Sequence, residues 1–369
     1  MKISRRKFMR SGLAATAFGA GARGWAQRFT RIPVLRPRPE VDTGWSLVPG
    51  ILASIVPPTF PARDFVITEF GASDETGFDS NSAINAAIMA CSRSGGGRVV
   101  VPAGAWLSNG PLYLLSDVNL YLEAEATIIF SANPEDYLPL QLVRWQGIRC
   151  YNFSPLIYAY QQRNIALTGS GTLNGQAGVT WANWTDISPK DWNLLVQMGT
   201  DNVPVEERQF GLGHSLRPTF FEPYDCQNIL VEGVTFEDSP FWTIHPTFCS
   251  NVTVQNVTVL PGAQNDDGCD PDSCQNVLIT GCNFSTVDDN ISLKAGQLPD
   301  AAGLPGCENI VVQNCNCAQS GFSALTIGTD AGGFISNVFM ENCTVTNCLN
   351  AHYIKGWTNL GGGVENVYF

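Results

Sequence analysis

Residues 226–236 read CQNILVEGVTF, and this pattern returns five times before residue 369. Each copy keeps an Asn followed by Val or Ile, with apolar residues at alternating positions after it. The copies are CSNVTVQNVTV (249–259), CQNVLITGCNF (274–284), CENIVVQNCNC (307–317), ISNVFMENCTV (335–345) and VENVYF (364–369). The asparagines are 23, 25, 33, 28 and 29 residues apart. Repeats of this length, each with one β-rich group, predict an all-β chain folded as a right-handed parallel β-helix with one coil per repeat.

Stacked coils place equivalent positions one above another, because neighbouring β-strands lie ~4.8 Å apart. The position six residues after the repeat asparagine is Val or Cys in the five longer copies, which predicts an inward-facing ladder. Its members are Val234, Val257, Cys282, Cys315 and Cys343. The repeat asparagines themselves predict a turn ladder with no catalytic role. They are Asn228, Asn251, Asn276, Asn309, Asn337 and Asn366.

Most of the twelve cysteines fall on such ladders. A second ladder, two residues before the repeat asparagine, holds Cys226, Cys249, Cys274 and Cys307. We interpret these thiols as small buried apolar groups and not as a disulfide framework. Cys317 and Cys348 lie off both ladders and are candidates for pairing with a neighbour, with the connectivity left open.

The stretch DSNSAINAAIMACSRSGGG (79–97) predicts a helix near the start of the solenoid. Asp79 or Ser80 would cap it, and it carries Ile84, Ala87, Ile88 and Cys91 on one face. The open end of a β-helix exposes a sheet edge, so we predict that this helix covers it. At the other end the chain stops at Phe369 inside a repeat, and we expect the sequence to be incomplete there.

The first residues predict export. Ser4–Arg10 is basic with paired arginines, an apolar stretch of small residues follows it, and Gly24-Trp25-Ala26 offers the small residues that a signal peptidase requires. This order resembles a twin-arginine signal and predicts a periplasmic or secreted protein. We expect a signal peptide over 1–26, an N-terminal extension over 27–64 and a β-helix domain over 65–369.

Charge restricts the partners. Without residues 1–26 the chain holds 15 basic and 33 acidic residues, a net charge of −18. Such a chain does not attract nucleic acid or anionic lipid through its overall field, so an acidic polymer would need a local basic group inside a cleft. We expect a monomer with no nucleic-acid or membrane partner.

The stretch QNDDGCDPDSCQNVLITGCNFSTVDDN (264–290) holds six aspartates in two clusters. Asp267 and Asp288 are 21 residues apart, about one coil, which predicts that they stack on the same face. Paired carboxyls suit general acid–base chemistry, which needs one protonated and one ionised group. Close like charges keep one member protonated. Asp270 and Asp272 fit a solvated turn equally well.

Three longer stretches carry a family resemblance. They are FGASDETGFDSNSAINAAIMACSRSGGGRVVVPAG (70–104), PLIYAYQQRNIALTGSGTLNGQ (155–176) and RPTFFEPYDCQNILVEGVTFEDSPFWTIHP (217–246). Together with the repeats they resemble glycoside hydrolase family 28, the polygalacturonases. The resemblance implies a pectin lyase-like solenoid that hydrolyses α-glycosidic bonds of pectin-type polysaccharides with inversion, and it implies no cofactor and no metal.

The family's first two catalytic motifs match. Asn265-Asp266-Asp267 stands at its Asn-Thr-Asp, and Asp288-Asp289 stands at its Asp-Asp. The resemblance implies that Asp288 is the acid, that Asp267 and Asp289 position and deprotonate water, and that Asn265 contacts substrate. Inverting sites generally separate their carboxyls by ~6.5–9.5 Å, whereas stacked backbones are only ~4.8 Å apart, so these side chains must diverge.

The other two motifs depart from the family. Gly321-Phe322-Ser323 stands where Gly-His-Gly is expected, and Tyr353-Ile354-Lys355 stands where Arg-Ile-Lys is expected. Lys355 and Tyr353 are predicted to face substrate. The lost arginine weakens the case for plain polygalacturonate, because Lys cannot make the bidentate carboxylate contact, and favours a substituted pectin, rhamnogalacturonan or a less acidic glycan.

Two further side chains, Lys294 and His245, are candidates for substrate contact. Arg217 is expected to brace a turn.

Two other function classes remain open. One is a calcium-dependent polysaccharide lyase on the same fold, with the acidic cluster as oxygen ligands. The other is a glycan-binding β-helix with weakened catalysis, suggested by the two altered motifs.

Overall fold

The computed structural model describes residues 44–356 and 361–369, so the predicted signal segment lies outside the described residues. Contacts group residues 42–369 into one compact unit. The chain winds through three faces of parallel strands, and the predicted all-β parallel β-helix is confirmed. The boundaries predicted for the signal, the extension and the domain stay predictions.

The first face is a continuous parallel sheet of ten strands that carries the repeat pattern. Its register follows the repeats, since Ile229 pairs with Val252, Val252 with Val277 and Val277 with Ile310. Its strands are Asp64–Val66, Gly97–Val101, Val118–Leu122, Arg163–Gly169, Gln227–Glu232, Ser250–Gln255, Gln275–Thr280, Cys307–Gln313, Phe334–Glu341 and Gly363–Tyr368.

The second face follows the turns at the ends of first-face strands. Its strands are Gly104–Ser108, Ala126–Phe130, Thr172–Asn174, Thr235–Glu237, Thr258–Val259, Asn283–Ser285, Asn316–Ile327 and Thr344–Val345. The long strand Asn316–Ile327 continues onto the third face. The third face holds Leu112–Tyr113, Ile157–Tyr160, Phe221–Tyr224, Ile291–Leu293 and Cys348–Ile354, and isolated bridges carry it through residues 244–247 and 269–272.

The predicted ladders are present. The six repeat asparagines have φ between 53° and 61°, the left-handed region that Asn tolerates. Side-chain amides link the coils, for example Asn309 Nδ2 to Asn276 Oδ1 and Asn337 Nδ2 to Asn309 Oδ1, each at 3.0 Å. The turn ladder is confirmed as a structural feature of the fold.

The cysteines are buried thiols. All twelve are unpaired, and only Cys343 and Cys348 are half-buried while the rest are buried. Val234, Val257, Cys282 and Cys315 are at most 2% exposed, as an inward ladder requires. Cys317 and Cys348, the candidates for pairing, are free thiols as well.

The predicted capping helix, α1, covers Asn81–Arg93. Ile84, Ala87, Ile88 and Cys91 have no exposed surface and join the core inside the coils. Asp79 accepts the N–H of Asn81 at 3.0 Å, whereas the Ser80 side chain makes no cap and donates to Ser73 O instead. Asp79 is therefore the capping side chain.

A wall beside the coils has no repeat signal. It combines an antiparallel hairpin, Gln141–Trp145 and Ile148–Asn152, with the short strand Gln209–Phe210 and the helix Ser188–Thr200, here α2. These elements enclose a second apolar core with Trp242 of the coils. The hairpin tip reaches later coils, because Gln297 donates to Gln146 O at 2.8 Å.

The remaining helices are short. One α-helix, Val48–Ser54, packs on the outer side of the first face against Val311 and Phe339. The 3₁₀ helices are Gly44–Leu47, Ile67–Phe70, Pro134–Tyr137, Trp181–Trp184 and Val205–Glu207. Within the described residues, no helix combines the length and the apolar character needed to cross a membrane.

Candidate active site

Two adjacent turns bring the acidic clusters together. Cys269 bridges Ile291 in a parallel register, so the coils are 22 residues apart here. At this spacing Asp267 lies beside Asp289, and the expected stacking of Asp267 on Asp288 is wrong by one position. The three carboxylates nevertheless converge, because one oxygen of each lies within 4.8 Å of the others.

A cavity of about 420 Å³ opens over these carboxylates along the third face. This volume is in the range of sites for small ligands. Its walls mix carboxylates, two ammonium groups and aromatic rings. The lining residues are Gln146, Trp192, Trp242, Asn265, Asp267, Asp288, Asp289, Lys294, Phe322, Gly328, Thr329, Asp330 and Lys355. Gln146 and Trp192 come from the wall, so the wall forms one side of the cavity.

Asp289 has the most complete set of partners. Its Oδ1 accepts the N–H of Ser323 at 3.0 Å and the hydroxyl of Thr326 at 2.6 Å. Its Oδ2 accepts the Lys355 ammonium at 2.9 Å. Donors of this kind stabilise the ionised form of a carboxyl group. Asp289 is therefore held in a fixed orientation by three donors.

Asp267 is placed differently. Its Oδ2 accepts Lys294 Nζ at 3.2 Å, and its buried Oδ1 has no partner. Burial, together with the charges of Asp288 and Asp289, outweighs the Lys294 ammonium and raises the pKa of Asp267 to about 7. This carboxyl can gain or lose a proton close to neutrality.

Lys294 lines the cavity, but its side chain is almost fully buried. Its ammonium lies 3.5 Å from Asp270 Oδ2 and 4.1 Å from the centre of the Trp242 ring. Asp270 is fully buried with no hydrogen-bond donor on either oxygen, and burial, with the Asp267 charge, raises its pKa well above the usual range. The possibility that Asp270 is a solvated turn residue is excluded by this burial.

Asp288 is oriented by its neighbours. Its Oδ2 accepts Asn265 Nδ2 at 3.1 Å, and its Oδ1 accepts the N–H of Asp289 at 2.9 Å. Burial, and then the charge of Asp289, raises the pKa of Asp288. Asp288 therefore holds a proton more readily than an exposed aspartate.

Asp266 supports the loop that carries Asp288. It is fully buried and accepts the N–H groups of Gly262, Val287 and Asp288 at 2.7 to 3.1 Å. Burial raises its pKa to about 6 in spite of these donors. Sequence reasoning assigned no role to Asp266 or to Thr326, although Asp266 stands inside the matched motif.

His245 lies behind the site and not in the cavity. It has no exposed surface, and its ring nitrogens lie 3.5 Å from Glu222 and 3.6 Å from Asp272. Burial alone would lower the pKa of His245, but the charges of Glu222 and Asp272 outweigh it and raise the pKa to about 9. The candidate substrate contact of His245 is therefore corrected to a buried, charged support.

Asp272 is also buried, with its Oδ1 2.9 Å from Arg144 Nη1. Burial opposes its ionisation, but Arg144 and His245 lower its pKa below the usual range. It is an ion-paired core residue, so the interpretation of Asp272 as a solvated turn acid is wrong.

The two altered motifs lie at the cavity mouth. Phe322 is 44% exposed and lines the cavity, with Lys355 Nζ 5.3 Å from its ring centre. Tyr353 is 47% exposed, but it is not part of the cavity lining. Of the two lysines that line the cavity, Lys355 is the more accessible, with a side chain that is 22% exposed against 5% for Lys294.

Comparisons with known proteins agree with this geometry. The profile described as Glycosyl hydrolases family 28 matches residues 91–369. The structure of a hyperthermoactive exopolygalacturonase from Thermotoga maritima is 37% identical, with a TM-score of 0.84, over 88% of this chain and 75% of that one.

Curated relatives match more distantly. A probable polygalacturonase of Vitis vinifera is 24% identical over 83% of this chain, and an exo-poly-alpha-D-galacturonosidase of Dickeya chrysanthemi is 26% identical over 82%. The chain spans 60% and 54% of the lengths of these two proteins.

Proposed function

The chain belongs to the glycosyl hydrolases of family 28, and on that premise we propose that it hydrolyses α-glycosidic bonds in a galacturonan-type pectin. The observation that carries the proposal is the set of three carboxylates converging on one cavity with different partners. Hydrolysis needs a protonated carboxyl and an ionised one on the same bond. The contacts of Asp288 and Asp289 supply that difference.

The roles follow from these contacts. Asp288, whose pKa burial raises, donates a proton to the leaving glycosidic oxygen. Asp289, oriented by Lys355 and Thr326, takes a proton from the attacking water. Asp267, the carboxyl beside Asp289, orients that water. The water oxygen bonds to the anomeric carbon as the bond to the leaving oxygen breaks.

Substrate binding uses the remaining lining groups. Lys355 supplies an ammonium group that can meet a sugar carboxylate, and the amide of Asn265, which also lines the cavity, contacts the substrate. Lys294 acts by donating a hydrogen bond to Asp267. Phe322 presents an exposed ring on which a sugar face can stack, and Tyr353 contacts the polysaccharide outside the cavity.

We propose that the action starts from a chain end. The wall closes one side of the cavity with Gln146 and Trp192, and its tip is tied to the later coils through Gln297. A closed side limits how far a polymer can pass through a cleft. The Thermotoga and Dickeya relatives named above are exo-acting by their descriptions.

The test is a reducing-end assay on polygalacturonate, rhamnogalacturonan and xylogalacturonan. Wild type should release reducing ends from at least one of them, and Asp288→Asn should lose at least about a hundredfold in kcat. Glu75→Gln, a change at an exposed carboxylate far from the coils that carry the site, is the matched control. Equal rates for Asp288→Asn and wild type would overturn the proposal.

Product analysis tests the stereochemistry and the mode of action. NMR of the first product should show the inverted anomer, and chromatography should show monomers or dimers before longer fragments. The nearest carboxylate oxygens lie within 4.8 Å, shorter than the ~6.5–9.5 Å between carboxyl groups of inverting enzymes. Inversion therefore requires the attacking water to lie above the three carboxylates and not between them. A product with the retained anomer would contradict the proposed inversion.

The lyase alternative is not favoured. Lys294 and Lys355 already place ammonium groups against Asp267 and Asp289, which weakens this cluster as a calcium site. The family's relatives are also described as polygalacturonases. A product with a new ultraviolet absorbance would support the lyase instead.

We also propose export through the twin-arginine signal over 1–26, with a monomeric enzyme acting in the periplasm or outside the cell. The order of the basic and apolar blocks supports this. Replacing Arg5 and Arg6 by Lys should leave the protein in the cytoplasm. Light scattering of the purified protein should give the mass of one chain, and a larger mass would contradict the monomer.

A further inference from the structure

We propose that Arg217 is a positioning residue that acts through Asn265 to fix the orientation of the Asp288 carboxyl group. The inference rests on the proposed function, in which Asp288 is the acid. Arg217 is not part of the cavity lining and is only 2% exposed, so it cannot bind a polymer directly. Its effect on the reaction must pass through a neighbour.

Arg217 is fixed by several contacts. Its Nη1 donates to Pro240 O at 3.1 Å and to Gln264 O, and its Nη2 donates to Asn265 Oδ1 at 2.8 Å. Its Cζ lies 5.0 Å from the centre of the Phe241 ring. The expected bracing of a turn is present, since two of these acceptors are backbone carbonyls. The third acceptor is the side chain of a cavity residue.

The chemistry of the Asn265 amide makes the contact directional. A guanidinium group only donates hydrogen bonds, so it selects the oxygen end of the amide. The Nδ2 end must then point the other way, and it donates to Asp288 Oδ2 at 3.1 Å. A rotated amide would place NH₂ against the guanidinium and oxygen against the carboxylate, and both contacts would be repulsive. Arg217 therefore decides which end of Asn265 meets Asp288.

The hydrogen bond from Asn265 completes the setting of Asp288. One oxygen of Asp288 accepts the N–H of Asp289 at 2.9 Å, and the other accepts Asn265. With both in place the carboxyl plane is fixed, in a residue that lines the cavity. A proton on this carboxyl is then held in one orientation for transfer to the leaving oxygen.

Loss of Arg217 changes this setting in a known direction. The titratable and charged groups that face Asp288 are the carboxyls of Asp266, Asp267 and Asp289, the ammonium groups of Lys294 and Lys355, and Arg217 itself. Without Arg217 the amide of Asn265 is free to rotate and ceases to stabilise the ionised carboxyl. The pKa of Asp288 rises, and its proton is no longer held in one direction.

The experiment compares Arg217→Met with Arg217→Lys in the full chain. On polygalacturonate we expect kcat to fall at least about tenfold for Arg217→Met with KM within about twofold, because the lost interaction acts on the transition state. Arg217→Lys, which keeps the charge and donors, should recover part of the loss. The alkaline limb of the pH profile of kcat should move to higher pH in Arg217→Met, because the pKa of Asp288 rises.

A second substrate separates positioning from general damage. 4-Nitrophenyl α-galacturonide has a leaving group that hardly needs a proton, so its rate should fall less than about threefold. A misfolded variant would lose both activities equally. If Arg217→Met is misfolded, the rates of Arg217→Lys on the two substrates are compared instead. Equal losses on the two substrates by a folded variant, or a raised KM with unchanged kcat, would overturn the proposal.

A double-mutant cycle tests the route through Asn265. Asn265→Gly removes the amide but keeps a backbone with φ of 63°, which glycine adopts without strain. In that background Arg217→Met should lower kcat less than about threefold further, since its target is gone. If the fold-losses in kcat of the two single variants multiply in the double variant, Arg217 and Asn265 act independently. That result would refute the action of Arg217 through Asn265.

Failure of the proposed function would look different. Wild type and Asp288→Asn are assayed in the same series, and a wild type without turnover overturns the function alone. The action of Arg217 on Asp288 through Asn265 is then tested by the side-chain amide signal of Asn265 in ¹⁵N-labelled protein. The titration midpoint of this signal, which reports on Asp288, should rise in Arg217→Met. An unchanged midpoint would refute the action of Arg217 through Asn265.

Discussion

Asp267→Asn should stabilise the protein while it removes activity. Burial and two neighbouring carboxylates raise the pKa of Asp267 from 3.8 to about 7 in the folded chain. The folded state then binds a proton more tightly than the unfolded state between these two values. Stability is therefore lost as the pH rises from about 4 to about 7, and the full penalty remains above that range.

The size of the effect follows from the shift. About three pKa units at ~1.4 kcal/mol each give ~4 kcal/mol as the upper figure. Part of this is offset in the variant, because Lys294 then loses the nearer of its two carboxylate contacts and keeps the longer one, with Asp270 at 3.5 Å. With roughly 320 described residues and an unfolding entropy of ~2.1 cal/mol/K per residue, we expect a rise in Tm of about 2–6 °C at pH 7.5.

The assay is thermal unfolding from pH 4 to pH 8 for wild type, Asp267→Asn and the exposed control Glu75→Gln. The gain of Asp267→Asn should be near zero at pH 4 and should reach its plateau above pH 7. Glu75→Gln should follow wild type at every pH. A variant that is less stable at pH 7.5, or a gain that is the same at all pH values, would refute the electrostatic reasoning.

Three further predictions concern the site's supports and the coils. Thr326→Val should lower kcat about tenfold, because a hydrogen bond to the ionised Asp289 is worth ~1.5–3 kcal/mol, whereas Thr326→Ser should keep most of the activity in steady-state assays. His245→Gln should remove the loss of Tm that wild type shows as the pH rises from about 6.5 to about 9, since the charged His245 stabilises the fold only while protonated. Asn309→Ala should cost about 1–3 kcal/mol in the free energy of unfolding, from lost ladder hydrogen bonds and a φ of 61°, and Asn309→Gly should cost less.

The coils could be predicted because they are a local property repeated along the chain. Each copy places apolar residues on one side of a short strand, and stacking turns this period into ladders such as Val234 over Val257. The same argument identified the thiols as core residues, since Cys282 and Cys315 occupy positions that hold Val in other coils. The helix before the first coils was equally readable, because its apolar face and its Asp79 cap are sequence-local.

The wall could not be predicted, because it has neither repeat nor period. Its hairpin and α2 become a wall only by packing on Trp242, far along the chain. The cavity owes Gln146 and Trp192 to that packing. Nothing in the flanking residues marks either side chain as part of a site.

The sequence by itself determined that this chain is a parallel solenoid and that two acidic clusters fall about one coil apart. Only the tertiary structure decided what each acid does. The coil spacing of 22 residues placed Asp267 beside Asp289, and a single residue of register separates a supporting position from a reacting one. The state of a buried carboxyl depends on charges brought from elsewhere, as when Arg144 reaches Asp272 across 128 residues. Such pairings follow from the path of the folded chain and leave no mark in the local pattern.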